Sequence, residues 1–205
     1  MSTLKLHATP AGALELVRTN LKAMPRHTYG AVDFAKTEID EVNIVAYIRV
    51  AKATLEIASQ KVVLDPDLAH SGVALLDYKS KIVAAAFIDE GTAHDAVGVS
   101  QLTFGPLVKH LVDALYVAES DLQGGDFEPA LLPVSPLGLN VLRLVASTSN
   151  HTNEADFFVP LGPKNELLPA ARYDADSLAA ALTKALQRSI KAFANSPNGT
   201  QTFSD

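Results

Sequence analysis

The chain runs twice through one order of elements: a helix-like pattern, a strand–turn–strand unit, a loop, then an amphipathic helix. The first unit spans Gly72 to Ile88 and turns at Tyr78-Lys79-Ser80-Lys81. The second joins Leu139–Ala146 to Ala155–Leu161 through the polar run Ser147 to Glu154. Val73 to Leu76 and Ile82 to Ile88 are apolar at odd and even positions alike, as in strands covered on both faces. A pair joined by a short turn must run antiparallel. The order α-α-ββ-α-ββ-α predicts an α+β fold, an antiparallel sheet of two β-hairpins with helices packed on it.

Local signals place the other elements. Ser2 to Ala8 alternates and suits a short strand. Thr9-Pro10 reads as a helix start, and Leu14, Val17, Leu21 and Met24 make one stripe ending before Pro25. Thr37 caps a second expected helix, in which Ile44, Ile48, Ala51, Leu55 and Ala58 recur to about Gln60; Val42 to Val50 also alternates and is rich in β-branched residues. Asp65-Pro66-Asp67 and Ser71-Gly72 are turn chemistry. Val97, Leu102 and Phe104 suit a short helix or an edge strand, and Pro106 opens a helix carrying Leu107, Leu111, Leu115 and Leu122. Three prolines and three glycines make residues 123–138 an expected internal boundary or long loop. Asp174 or Asp176 caps a last helix with Leu178, Ala181, Leu182, Ala185, Leu186, Ile190 and Phe193 on one side. The expected domain is 1–194, followed by a polar tail at 195–205.

Composition excludes more than it assigns. With 48% hydrophobic and 20% charged residues, the 205-residue chain can bury a core. Absence of cysteine excludes disulfides, thiolate catalysis and cysteine-ligated zinc. There is no tryptophan, and aromatics are 6%, so stacking platforms are poorly supplied. The net charge of −6 arises in the middle: residues 61–160 carry 5 basic and 13 acidic side chains, and both flanks are near neutral. This disfavours nucleic acid except through local basic rows. No signal-like or membrane-spanning run is evident, so an intracellular, cytoplasmic location away from membranes is expected.

Candidate chemistry is sparse, and each candidate has a plainer alternative. His94-Asp95 follows a strand in a loop, where catalytic groups often sit; the plainer role for Asp95 is a helix cap. His110 and Asp113 share a helix face, and His151 and Glu154 lie in the second turn; both pairs fit solvated surface. His94, Asp95, His151 and Glu154 are the metal candidates, none of them in a recognisable ligand pattern. Asp65, Asp67 and His70 lack the further oxygens of a calcium loop. Nucleophile-elbow, phosphate-loop, dinucleotide and His-Glu-x-x-His motifs are absent, and no cofactor is expected. Arg18, Lys22 and Arg26 form one basic row; Lys184, Arg188 and Lys191 form another. Either suits an acidic partner or plain solvation.

The strand pair from Gly72 to Glu90, with an Asp ending each strand and a Lys-Ser-Lys turn, resembles profilin-like sensor and haem-binding folds. That likeness covers under a tenth of the chain and concerns fold alone. Three functions follow as expectations. The first is a non-enzymatic structural or assembly protein that self-associates or binds a protein partner, using the basic rows and the apolar loop at Leu131 and Leu132. The second is a small-ligand sensor with a pocket between sheet and helix, lined by Arg143, Tyr78, Phe87 and Phe104. The third is a metal-assisted or histidine-dependent hydrolase.

Overall fold

The apolar run from Val42 to Val50 is a strand, and that one assignment reshapes the architecture. The computed structural model describes residues 3–24, 38–56, 61–91, 96–121, 126–146, 156–162 and 167–194. In chain order these form β1 (Thr3–Leu4), α1 (Ala13–Ala23), β2 (Asn43–Glu56), β3 (Lys61–Tyr78), β4 (Lys81–Asp89), β5 (Gly98–Thr103), α2 (Pro106–Asp121), β6 (Asp126–Val134), β7 (Leu139–Ala146), β8 (Phe157–Pro160) and α3 (Ala175–Ala194). One mixed eight-stranded sheet runs β5-β4-β3-β2-β6-β7-β8, with β1 parallel to β6. The expected antiparallel α+β fold is therefore overturned: the protein is mostly β, and β2 also runs parallel to β6.

The expected helix over 37–60 fails because β2 is covered on both faces. Ile48 and Val50 join one core with Val108, Leu111, Leu131 and Leu142. Tyr47 and Ala51 point the other way, Tyr47 toward Val17 and Leu21 of α1, Ala51 toward Leu178 and Leu182 of α3. A strand apolar at both parities contains helical spacings by chance, so Ile44, Ile48 and Ala51 match a helix stripe without forming one. α2 thus lies over one face of the sheet, and α1 and α3 over the other.

Residues 126–137 are not a loop. They form β6 and a short 3₁₀ turn, Ser135–Leu137. Leu131 and Leu132, expected as an exposed interface, are buried, one on each face. Lys5 N–H donates to Phe127 O, so odd-numbered residues of β6 direct their backbone toward β1 and β2. Pro129 and Pro133 share that parity. Pro129 falls where β6 changes partner from β1 to β2, and Pro133 lies beyond the β2 pairing at Ala130 and Leu131. Neither position needs a ladder donor there, which is how a central strand tolerates proline. The N-terminal segment fills the divergence, Lys5 N–H bonding to β6 and His7 N–H to Tyr47 O of β2.

Other expectations hold locally. β3 and β4 turn at Lys79 and Ser80, whose φ values of 50° and 62° place both in the left-handed region; Asp77 Oδ2 accepts from Ser80 N–H. β5 is an edge strand, and α2 begins at Pro106. α1 begins at Ala13 after left-handed Gly12, not at Pro10. Of the two candidate caps, Asp174 does the work: its Oδ1 accepts from Ser177 N–H at 2.7 Å, and Ser177 Oγ accepts from Asp174 N–H. At the opposite edge, Tyr173 exchanges both backbone hydrogen bonds with Phe158, covering part of β8. The expected tail at 195–205 lies outside the described residues.

Two predictions follow from this geometry. A Cβ on Gly72 would lie 2.3 Å from Tyr47 Cζ, and Tyr47 is fully buried. Gly72→Ala should cost about 1–3 kcal/mol in urea unfolding, as overpacked cores do, while Gly98→Ala, which meets open space, should be near neutral. For Asp174, the Ser177 backbone N–H first, then its side chain, hold the carboxyl below the usual carboxylate range. A depressed folded pKa gives stability that is complete above the unfolded value, about 3.9, and is lost as pH falls through the folded value. Asp174→Ala should therefore lower the melting temperature at pH 7, with the gap to wild type closing below about pH 4.

Candidate interaction site

Arg143, the expected ligand anchor, and the turn acids Asp65 and Asp67 lie beside an irregular stretch of the sheet. The β2–β3 ladder jumps register from Arg49↔Gly72 to Ala51↔Leu68, then to Ala53↔Leu64. Each jump strands carbonyls of β3, and buried carbonyls need donors. Arg49 Nε and Nη2 donate to Ala69 O, and Glu90 N–H donates to His70 O. Arg143 Nη1 donates to Asp65 O across the sheet, while its Nε and Nη2 hold Asp156 Oδ2 at 2.9 and 2.6 Å. Asp65 Oδ1 accepts from Asp67 N–H. Arg143, 8% exposed, is thus occupied as a clamp over these irregularities.

Nor do the other expected pocket residues converge. Phe87 packs in the core under α2, Tyr78 and Phe104 pack with the α1 core on the opposite face, and Arg143 stands over the Phe158 ring of the α3 core. Lys79 lies over Tyr78 and pairs with Glu38. A further network, not visible in the sequence, joins Tyr47, Glu90 and Arg49. Tyr47 Oη donates to Glu90 Oε1 at 2.8 Å, and Arg49 Nε stands 3.5 Å from the same oxygen. Burial first, then the bond to Glu90, push the Tyr47 phenol far up, so it stays a neutral donor.

Arg18 and Lys22 of the first basic row are consumed internally. Arg18 donates to Asp40 O and Val42 O, fixing α1 to the start of β2, and Lys22 pairs with Asp40 at 2.7 Å. That contact, led by the Lys22 hydrogen bond, lowers the Asp40 carboxyl. Lys184, Arg188 and Lys191 are exposed on α3 and make no ion pair among the described residues. His110 stands beside Gly162, and Asp113 pairs with Lys109, so the His110–Asp113 pair does not form. Arg26, His94, Asp95, His151 and Glu154 lie outside the described residues. Among the described residues no three His, Asp or Glu side chains gather to hold a metal, and no helix is long and apolar enough to cross a membrane.

The open chemistry lies along α2. Val108, Leu111, Ala114 and Ala118 form its buried face. Its flank walls an apolar trough of about 240 Å³, floored by Leu4, Ala46, Leu75 and Ile82. A second hollow of about 550 Å³ shares Ile82, Val112 and Tyr116 with the first and runs on toward Ser80, Lys81 and Lys109. Val45 reaches the trough because the register slip between Ile44 and Ala46 frees it from the ladder. Five large apolar side chains are exposed among the described residues: Leu6, Val45, Tyr116, Val117 and Ile190. Leu6, Val45 and Tyr116 line this trough. Tyr116 is the most exposed of them, at 67%. The sequence signal for this was slight: Tyr116-Val117 on a helix whose apolar stripe needs neither.

Searches against family models, curated proteins and solved structures give no match for this chain.

The clamp role of Arg143 is testable. Arg143→Ala leaves Asp156 and the Asp65 carbonyl without their donor and should cost about 3–5 kcal/mol in urea unfolding. Arg143→Lys should recover only part of this, since one ammonium cannot replace the fork. An Arg143→Ala protein as stable as wild type would show that the guanidinium is free for another use.

Proposed function

We propose that this chain is a non-enzymatic assembly protein that docks a protein partner in the trough along α2. One observation carries the reading: three of the five large apolar side chains exposed among the described residues, Leu6, Val45 and Tyr116, gather at that trough. Concentrated exposed apolar surface marks contact sites, whereas scattered residues do not. The trough lacks what a small-molecule site needs. Its apolar part is smaller than a usual ligand pocket and open, and among the described residues that line that part Glu119 alone is charged, while Lys81, Lys109 and Asp113 line the adjoining hollow. The arginines and acids that could have anchored a metabolite are committed to backbone carbonyls and to one another. A long open trough with a projecting tyrosine fits a packed protein element, since tyrosine gives a large contact at low entropic cost.

A photo-crosslinking amino acid placed at Tyr116 tests this. In cells it should yield a discrete heavier adduct, and the same group at Lys52, on the exposed arm of β2, should not. Val45→Lys should abolish the adduct while the melting temperature stays within a few degrees. Absence of any adduct at Tyr116 would overturn the reading.

A further inference from the structure

Resting on that reading, we infer that the occupant of the trough is the α2 helix of a second copy, laid antiparallel about a two-fold axis. The observation is the order of side chains on the flank that walls the trough. Lys109, Val112, Tyr116 and Glu119 follow at steps of three, four and three residues, one continuous stripe on a helix. All four line the trough or its extension. The stripe is basic at one end, acidic at the other and apolar between. Reversing the helix about Ala114 exchanges Lys109 with Glu119 and Val112 with Tyr116. Two copies related by such a reversal therefore bring Lys109 of each against Glu119 of the other, and Val112 against Tyr116.

A two-fold interface requires one patch to be complementary to itself, with projection and hollow side by side. Here the projection is Tyr116 and the hollow is the space beside Ile82 and Val112 that both cavities share. The charges set direction. A parallel arrangement would oppose Lys109 to Lys109 and Glu119 to Glu119, so the same stripe that attracts one orientation repels the other. Lys109 already holds Asp113 of its own helix at 2.5 Å, and both line the second hollow, so in the assembled pair its ammonium would stand between two carboxylates. Glu119 makes no ion pair among the described residues. A small helix-flank contact of this kind favours a reversible dimer over an obligate one.

Sedimentation equilibrium of the purified chain across a micromolar series tests the inference. Wild type should show a monomer–dimer equilibrium. Lys109→Glu and Glu119→Lys should each weaken it on the order of tenfold, because two attractive contacts become two repulsive ones. The double variant Lys109→Glu/Glu119→Lys should regain most of the wild-type association, and Tyr116→Glu should abolish it. Melting temperatures near wild type exclude unfolding as the cause. Wild type monomeric throughout, single variants that associate like wild type, or a double variant no better than the singles would each overturn the inference. The crosslink separates this failure from that of the broader reading. An adduct at twice the chain mass supports the second copy. An adduct of another mass beside a monomeric purified chain overturns the second copy and leaves partner docking standing.

Discussion

The sheet depends on the two-sided burial of β6. Leu131 faces the core under α2, and Ala130 and Leu132 face the core under α3, so the strand joins cores on both faces. It also joins the β2–β3–β4–β5 half to β7–β8, because β6 is the neighbour of both β2 and β7. Full burial demands that its backbone groups be paired, yet Pro129 and Pro133 have no N–H. The conflict resolves through parity: even-numbered residues serve the ladder to β7, and the prolines occupy odd positions where the opposite side changes partner or runs out. Without β1 beside Phe127, that side of the strand would be open to solvent within the middle of the sheet.

Register slips along β2 and β3 set where the arginines are needed. The β2–β3 pair is long and irregular, and each irregularity leaves backbone carbonyls that cannot reach the opposing strand. Arginine supplies missing donors at two points, Arg49 at Ala69 and Arg143 at Asp65. A planar fork with several donors can hold a carbonyl and a carboxylate together, as Arg143 does, which lysine cannot. The slip beside Ala46 has the opposite effect. Its extra residue, Val45, turns outward, and an irregularity of the ladder becomes part of the contact surface.

What was legible in the sequence was local. The Gly72–Ile88 hairpin, the Pro106 helix start, the pairing of Leu139–Ala146 with the segment near Phe158, and the Asp174 cap all rest on signals within a few residues. What was not legible depended on distant neighbours. β2 read as a helix because burial on both faces places apolar residues at both parities, and these supplied a helical spacing that competed with the alternation of Val42 to Val50. β6 read as a loop because proline is a breaker unless the partner strand is known. Arg143 read as a ligand anchor because nothing near it in the chain announces Asp65 or Asp156 as partners. The trough lay between: the helix was legible, but the sequence stripe Leu107, Leu111 and Leu115 differs from the face buried by Val108, Leu111, Ala114 and Ala118, so the outward role of Tyr116 followed only from the true rotation of α2.

The wedge formed by Thr3 to His7 has a consequence for synthesis. Thr3 and Leu4 leave the ribosome more than a hundred residues before their partners, Asp126 and Phe127. At roughly 5–20 residues per second, that interval is on the order of ten seconds. Throughout it the nascent β2–β3–β4 hairpins can form from nearby contacts, but the flank of β2 that β6 will occupy stays uncovered. Until β6 emerges, the edge left open to off-pathway strand pairing is therefore the future centre of the sheet, not one of its final rims.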